Sequence, residues 1–201
     1  SVFMKTQIFE GMATALITPL TENGIDYEAF GKLIDWQIEE GINALVICGT
    51  TGEASTLSDE EHRDAIRFAV ERANRRVPII AGTGSNNTEY AIDLTRFACE
   101  VGVDGVLVVT PYYNKATQNG LIKMFTSIAD ASTVPVILYD VPSRTGTAIE
   151  PKTVAVLAEH PKIVGLKAAS GNISKIAETI HLCGDKITVY SGNDDQVIPI
   201  M

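Results

Sequence analysis

The stretch Ile163-Val164-Gly165-Leu166-Lys167-Ala168-Ala169-Ser170-Gly171-Asn172 is an apolar run that ends in a lysine and then turns through small polar residues into a helical pattern. A run of about four to eight apolar residues bounded by turn formers reads as a buried strand. Lys167 therefore stands where the strand leaves the core. An ammonium there is partly desolvated, which disfavours the charged form, lowers the lysine pKa and makes the amine a better nucleophile toward a carbonyl. Taken alone, a strand-end lysine more often packs its stem on apolar surface and keeps its head in water. The residues around it in the chain reverse that preference.

Outward from this strand, apolar runs alternate with amphipathic patterns at a spacing of about thirty residues, the length of one strand-plus-helix unit. Runs at 12–17, 44–48, 78–81, 106–109 and 136–139, the run ending at Lys167, and 187–190 make seven strands. Ser58-Asp59-Glu60-Glu61 predicts a capping box at the start of the second helix. Pro151 is placed to open the helix after the fifth strand. Continuous apolar strands between amphipathic helices mean a parallel sheet covered by helices. A doubly wound sheet concentrates its site at one switch point. Polar clusters after strands two, four, five and six, with no dinucleotide fingerprint after the first, fit a (β/α)8 TIM barrel instead.

Residues 1–201 accordingly read as a single TIM-barrel domain, and the expectation is a barrel truncated after about seven βα units. The eighth unit and a C-terminal helical region are absent on this reading, and residues 196–201 open a further helix. Strands one and seven are then expected to face each other across a gap with unpaired edges, and the isolated chain to be inactive or poorly folded.

With 45% hydrophobic and 20% charged residues the chain has the composition of an ordinary globular protein rather than a disordered one. A net charge of −9, with 16 Lys and Arg that form no block, argues against a nucleic-acid surface. Cys48, Cys99 and Cys183 are odd in number and widely spaced, so neither a disulfide framework nor a zinc site is indicated. No leader pattern and no apolar run of bilayer length is present, so no membrane contact and a cytoplasmic location are expected.

If the strand ends converge on one face, Thr50, Thr51, Tyr113, Tyr139, Arg144 and Lys167 become neighbours. Together they suit carbonyl condensation. Lys167 attacks a ketone, and Tyr139, ending the adjacent strand, shuttles the protons that carbinolamine formation and dehydration require. Thr50 and Thr51 lie between two glycines, where backbone N–H groups and hydroxyls can both approach an anion. Arg144 offers a planar fork suited to a carboxylate. In isolation each has a plainer explanation: a rim tyrosine for Tyr139, turn chemistry for the threonines, a solvated loop arginine for Arg144.

These residues resemble the pyruvate-dependent class I aldolases of the N-acetylneuraminate lyase superfamily and, within it, the dihydrodipicolinate synthase family. The resemblance runs along essentially the whole chain. It rests on GTTGE at 49–53, AGTGSN at 81–86, TPYYN at 110–114, Tyr139 with VPSRTG at 141–146, GLK and SGN at 165–172, and SGNDD at 191–195. It implies that Lys167 forms a Schiff base with pyruvate, that Tyr139, Thr50 and Tyr113 form a proton relay, and that Tyr113 enters a neighbouring subunit's site. It further implies that Thr51 and Gly192 bind substrate and that Arg144 holds the carboxylate of aspartate semialdehyde. The implied product is 4-hydroxy-tetrahydrodipicolinate, on the route to lysine and diaminopimelate. Beyond the covalent lysine–pyruvate Schiff base no cofactor and no metal is implied. The implied assembly is a homo-oligomer, a dimer of dimers making a homotetramer.

Two positions depart from the family pattern. Asp140 stands where Asn is usual and Ala168 where Glu is usual, and Ala168 is expected to alter the polarity around Lys167 or a hydrogen bond further out. Family members that respond to lysine carry a polar interface pocket to which His62, Asn86 and Tyr112 correspond, but Asp59 replaces a second histidine and Tyr90 a glutamate. Weak feedback is the expectation. The alternatives to the synthase are a sister aldolase or lyase of the sialic acid or sugar-acid type, and a catalytically silent truncated scaffold.

Overall fold

Apolar runs bounded by turns become strands throughout. The computed structural model describes residues 5, 7–47, 57–112, 116–192 and 196–200. β1 (Ala13–Leu16) is followed by a small hairpin, β2 (Leu20–Thr21) and β3 (Gly24–Ile25), and by α1 (Tyr27–Glu39). β4 (Ala44–Ile47) leads to α2 (Asp59–Ala73), β5 (Ile79–Gly82) to α3 (Thr88–Val101), and β6 (Gly105–Val109) to α4 (Gln118–Ala131). β7 (Val136–Asp140) runs into a one-turn helix α5 (Pro142–Thr145) and then α6 (Pro151–Leu157). β8 (Ile163–Ala168) precedes α7 (Ile173–Cys183), and β9 (Thr188–Ser191) is followed by β10 (Gln196–Pro199).

Eight of these strands close a barrel in the order β1, β4, β5, β6, β7, β8, β9, β10. All neighbours are parallel except β10, which is antiparallel to both β9 and β1. Alternation along each strand divides its side chains between two dry layers. Ala13, Ala15, Val46, Ile80, Leu107, Ile137, Tyr139 and Tyr190 fill the interior, with Phe9 stacked on Tyr190 at 5.3 Å between ring centroids. Leu45, Ile47, Val106, Val108, Leu138, Leu166 and Ala168 face the helices, where Phe30, Ile34, Ile66, Leu94, Leu121 and Phe125 meet them.

The long helices begin where a side chain takes up an orphan amide. Asp26, Asn87, Thr117 and Asn172 accept from the amides of Ala29, Tyr90, Gly120 and Lys175 at 3.0–3.1 Å. Ser58 and Glu61 form the reciprocal capping box that the sequence predicts. Pro151 is the first residue of α6, also as predicted. At the amino-terminal end of the barrel, the ammonium of Lys5 donates to the carbonyls of Ala158, His160 and Ile163. That contact ties the start of the described chain to the end of α6.

The expected gap between the first and last parallel strands is not there. Residues 196–199 form a strand rather than the opening of a helix, and they fill it: Ala13 and Thr14 pair with Val197 and Gln196, while Ile198 and Pro199 pair with Ser191 and Tyr190. Two open strand edges form a ready template for a short extended segment between them. Val197 enters the interior at 2% exposure, and its neighbours Gln196 and Ile198 face out. Gly192 permits the reversal, because a Cβ there would lie 1.7 Å from the Gln196 carbonyl oxygen.

Candidate active site

β7 and β8 are in register so that Tyr139 lies beside Lys167, and β9 places Tyr190 on the lysine's other side. The lysine is 1% exposed and Tyr139 2%. The Lys167 Nζ sits 4.4 Å from the centroid of the Tyr139 ring, within the range of a cation–π contact. Below them, Gly165 leaves room for the Tyr190 ring, since a Cβ would come within 2.8 Å of it. An amine at the carboxyl end of a parallel strand, out of bulk water and walled by two tyrosines, is placed for chemistry more than for packing.

Arg144 is half-buried in the last turn of α5, on the loop that leaves β7 immediately after the Tyr139 strand. Its loop is internally closed. The amides of Arg144 and Thr145 donate to the Val141 carbonyl at 2.9 and 3.1 Å, and Gly146 donates to Pro142 at 2.9 Å with φ of 74°. The structure thus brings Lys167, Tyr139 and the Arg144 loop to one end of the barrel, and Gly192 to the turn after β9 at that same end. Thr50, Thr51 and Tyr113 lie outside the described residues.

Tyr190 escapes a reading of the sequence, because an apolar-run tyrosine looks like ordinary core. Its position shows only when strand register puts it opposite Lys167. The two positions that the resemblance singles out, Asp140 and Ala168, lie at this same end of the barrel. Asp140 and Ala168 are register partners, and both point away from Lys167 into the helical layer. Ala168 therefore does not set the polarity on the lysine's side of the strand. A Glu at 168 would instead stand beside the buried Asp140 carboxyl, and an alanine avoids that like-charge contact.

On the outer side of α2 and α3, the Tyr90 hydroxyl donates to Asp59 at 2.6 Å, and Arg63 bridges Asp59 and Asp93. Burial, then the Asp59 bond, pushes the Tyr90 phenol up to about 12. His62 is buried with Nε2 3.1 Å from the Gly82 carbonyl, and burial holds it below the ordinary histidine range. The Asn86 carboxamide oxygen accepts the Tyr112 amide at 2.6 Å.

A closed α/β barrel with polar side chains gathered at the carboxyl ends of its parallel strands is the architecture of the barrel enzymes. Within that class the chain belongs to the Dihydrodipicolinate synthetase family, whose sequence profile matches residues 8–201. It is 54% identical over 198 residues to 4-hydroxy-tetrahydrodipicolinate synthase of Acetivibrio thermocellus, covering 98% of this chain and 67% of that protein. The crystal structure of dihydrodipicolinate synthase from Aquifex aeolicus superposes with a TM-score of 0.89 at 46% identity, over 92% of this chain and 64% of that one. The chloride-inhibited dihydrodipicolinate synthase of Acinetobacter baumannii, complexed with pyruvate, matches with a TM-score of 0.87 at 48% identity, over 91% and 63% of the two chains. The chain thus spans less than two thirds of the length of these solved relatives.

Proposed function

We propose that the protein is a Schiff-base-forming lyase, a synthase that condenses pyruvate with L-aspartate 4-semialdehyde to 4-hydroxy-tetrahydrodipicolinate in lysine and diaminopimelate biosynthesis. The observation that carries this reading is the buried Lys167 between Tyr139 and Tyr190 at the carboxyl end of the barrel. The pyruvate held by the Acinetobacter baumannii relative supports it. The neutral amine adds to the ketone carbon of pyruvate to give a carbinolamine, and loss of water gives the imine. Tyr139 carries the protons of these steps, with Thr50 and Tyr113 completing its relay. Thr51 and Gly192 hold the pyruvate end, and Arg144 takes the carboxylate of the semialdehyde through its guanidinium fork. The imine nitrogen serves as the electron sink, so the reaction calls on no separate cofactor or metal. Cytoplasmic location and a homotetrameric assembly, with Tyr113 shared between subunits, complete the proposal. Among the described residues no helix is long and apolar enough to cross a membrane.

The experiment is a two-stage assay. Pyruvate and borohydride are first used to trap the imine, and the unreduced enzyme is then offered aspartate semialdehyde and a panel of sugar-derived aldehydes. Trapping with consumption of the semialdehyde alone is the expected result. Trapping with preferential use of a sugar-derived aldehyde would move the protein to a sister aldolase, and no trapping at all in folded protein would leave a silent scaffold.

A further inference from the structure

Asp140 closes β7 on the face opposite Tyr139. It is 7% exposed, and its Oδ1 accepts the amide of Ile149 at 3.1 Å. Between these two residues lies the whole loop that carries Arg144, so the bond joins the loop's two feet. The Ala169 amide donates to the Asp140 carbonyl at 2.9 Å, which fixes the same residue to the end of β8. The far foot has a second fastening on α4. Gln118 donates to the Ala148 carbonyl at 2.9 Å and accepts from the Glu150 amide at 3.1 Å and the Thr153 hydroxyl at 2.7 Å. The charged groups that face Asp140 are Glu150, at the foot of α6, and Lys175 on α7, themselves paired at 3.0 Å. β8 brings only the Ala168 methyl alongside it.

A buried carboxyl that accepts a single amide across a nine-residue separation does little for the helical layer around it. Its consequence is for the loop. We propose that Asp140 is a positioning residue for Arg144: from the face of β7 opposite Tyr139 it fastens the foot of the Arg144 loop, and the loop's hold on an anionic substrate group depends on that fastening. This rests on the reading of Arg144 as the group that takes the second substrate's carboxylate. Asp140 itself lies on the helical-layer face of β7, opposite Tyr139.

The test compares Asp140→Ala, which removes the acceptor, with Asp140→Asn, which keeps an acceptor oxygen in the same place. Asp140→Ser, polar but too short to reach, replaces Ala should that variant fail to fold. In the Ala variant, amide hydrogen exchange in residues 141–149 is expected to quicken by about ten-fold or more while the amides of β7 and β8 keep their protection. Borohydride trapping of pyruvate is expected to be unchanged, and KM for aspartate semialdehyde to rise by about ten-fold, a loss equal to one hydrogen bond's contribution. The Asn variant restores both loop protection and KM. Unchanged loop exchange in the Ala variant would overturn the proposal, as would an Asn variant no better than Ala. Arg144→Ala separates the two ideas: if it leaves KM for the semialdehyde untouched, the reading of Arg144 fails, and loop exchange alone then decides the fastening.

Discussion

Among the described residues Lys167 stands out as a charged side chain buried below 2% exposure, a position lysine rarely takes unless its amine is engaged by neighbouring groups. The sequence shows it because a charged residue ends an otherwise apolar run. Arg144 is legible for a different reason, as a fork between Pro142 and Gly146, and Arg144→Ala is expected to weaken semialdehyde use by about 1.5–3 kcal/mol, roughly ten- to a hundredfold in kcat/KM, with pyruvate trapping kept. Equal loss of both would make Arg144 structural. The direction of Asp140 could have been read from alternation with Tyr139, but its partner Ile149 could not, because a loop's return path leaves no periodic signal. Burial raises the Asp140 carboxyl to about 6 from 3.8, against the opposing pull of the Ile149 amide. Between those two values the folded chain holds the proton and the unfolded chain does not, so stability from this group is full below about pH 4 and is lost as pH rises through about 6. Asp140→Asn removes that slope. Denaturant titrations should find the variant more stable by about 1–3 kcal/mol at about pH 8 and level with the parent near pH 4; a variant less stable at the higher pH would contradict the sign.

Seven strands announce themselves as apolar runs and fall within a residue or two of the bounds the sequence predicts, with amphipathic stretches marking the long helices between them. The shorter elements do not. Leu20–Thr21 and Gly24–Ile25 are too brief for any period, and Gln196–Pro199 contains a proline that argues against a strand. What makes a strand of those last residues is the pair of edges on β1 and β9, and a long-range demand of that kind is invisible locally. Gly192→Ala forces a Cβ into the Gln196 carbonyl, so it is expected to lower stability by about 1–3 kcal/mol in thermal or denaturant unfolding. An unchanged midpoint would mean that the β9–β10 reversal can be rebuilt. Between α2 and α3, the Asp59 carboxylate is engaged by Tyr90 and Arg63, and the hydrogen bond from Tyr90 is the main reason that Asp59 titrates below the usual carboxylate range. Among the described residues, the Asp59 carboxylate is thus already engaged where an ammonium ion would have to compete for it. L-lysine is therefore expected to bind weakly, and calorimetry showing a Kd tighter than about 1 mM would contradict this.

At the scale of the whole molecule, the barrel converts residues scattered along the chain into one rim. Tyr139, Lys167 and Tyr190 come from three successive parallel strands, and the interior beneath them is filled from Phe9 to Val197. The class of fold was readable because each unit repeats the same strand-and-helix grammar. Closure was not, since it depends on which edges meet and not on any one segment. A closed, filled barrel makes the surroundings of Lys167 a property of the folded state: unfolding returns the amine to water and separates it from Tyr139. The most direct test is therefore to treat the folded protein with pyruvate and borohydride, map the modified peptides by mass spectrometry, and repeat the treatment in denaturant and with Lys167→Ala. One pyruvate-derived adduct is expected, on Lys167, formed only by the folded parent protein. Absence of an adduct in the folded parent, or an adduct that persists in folded Lys167→Ala, would contradict it.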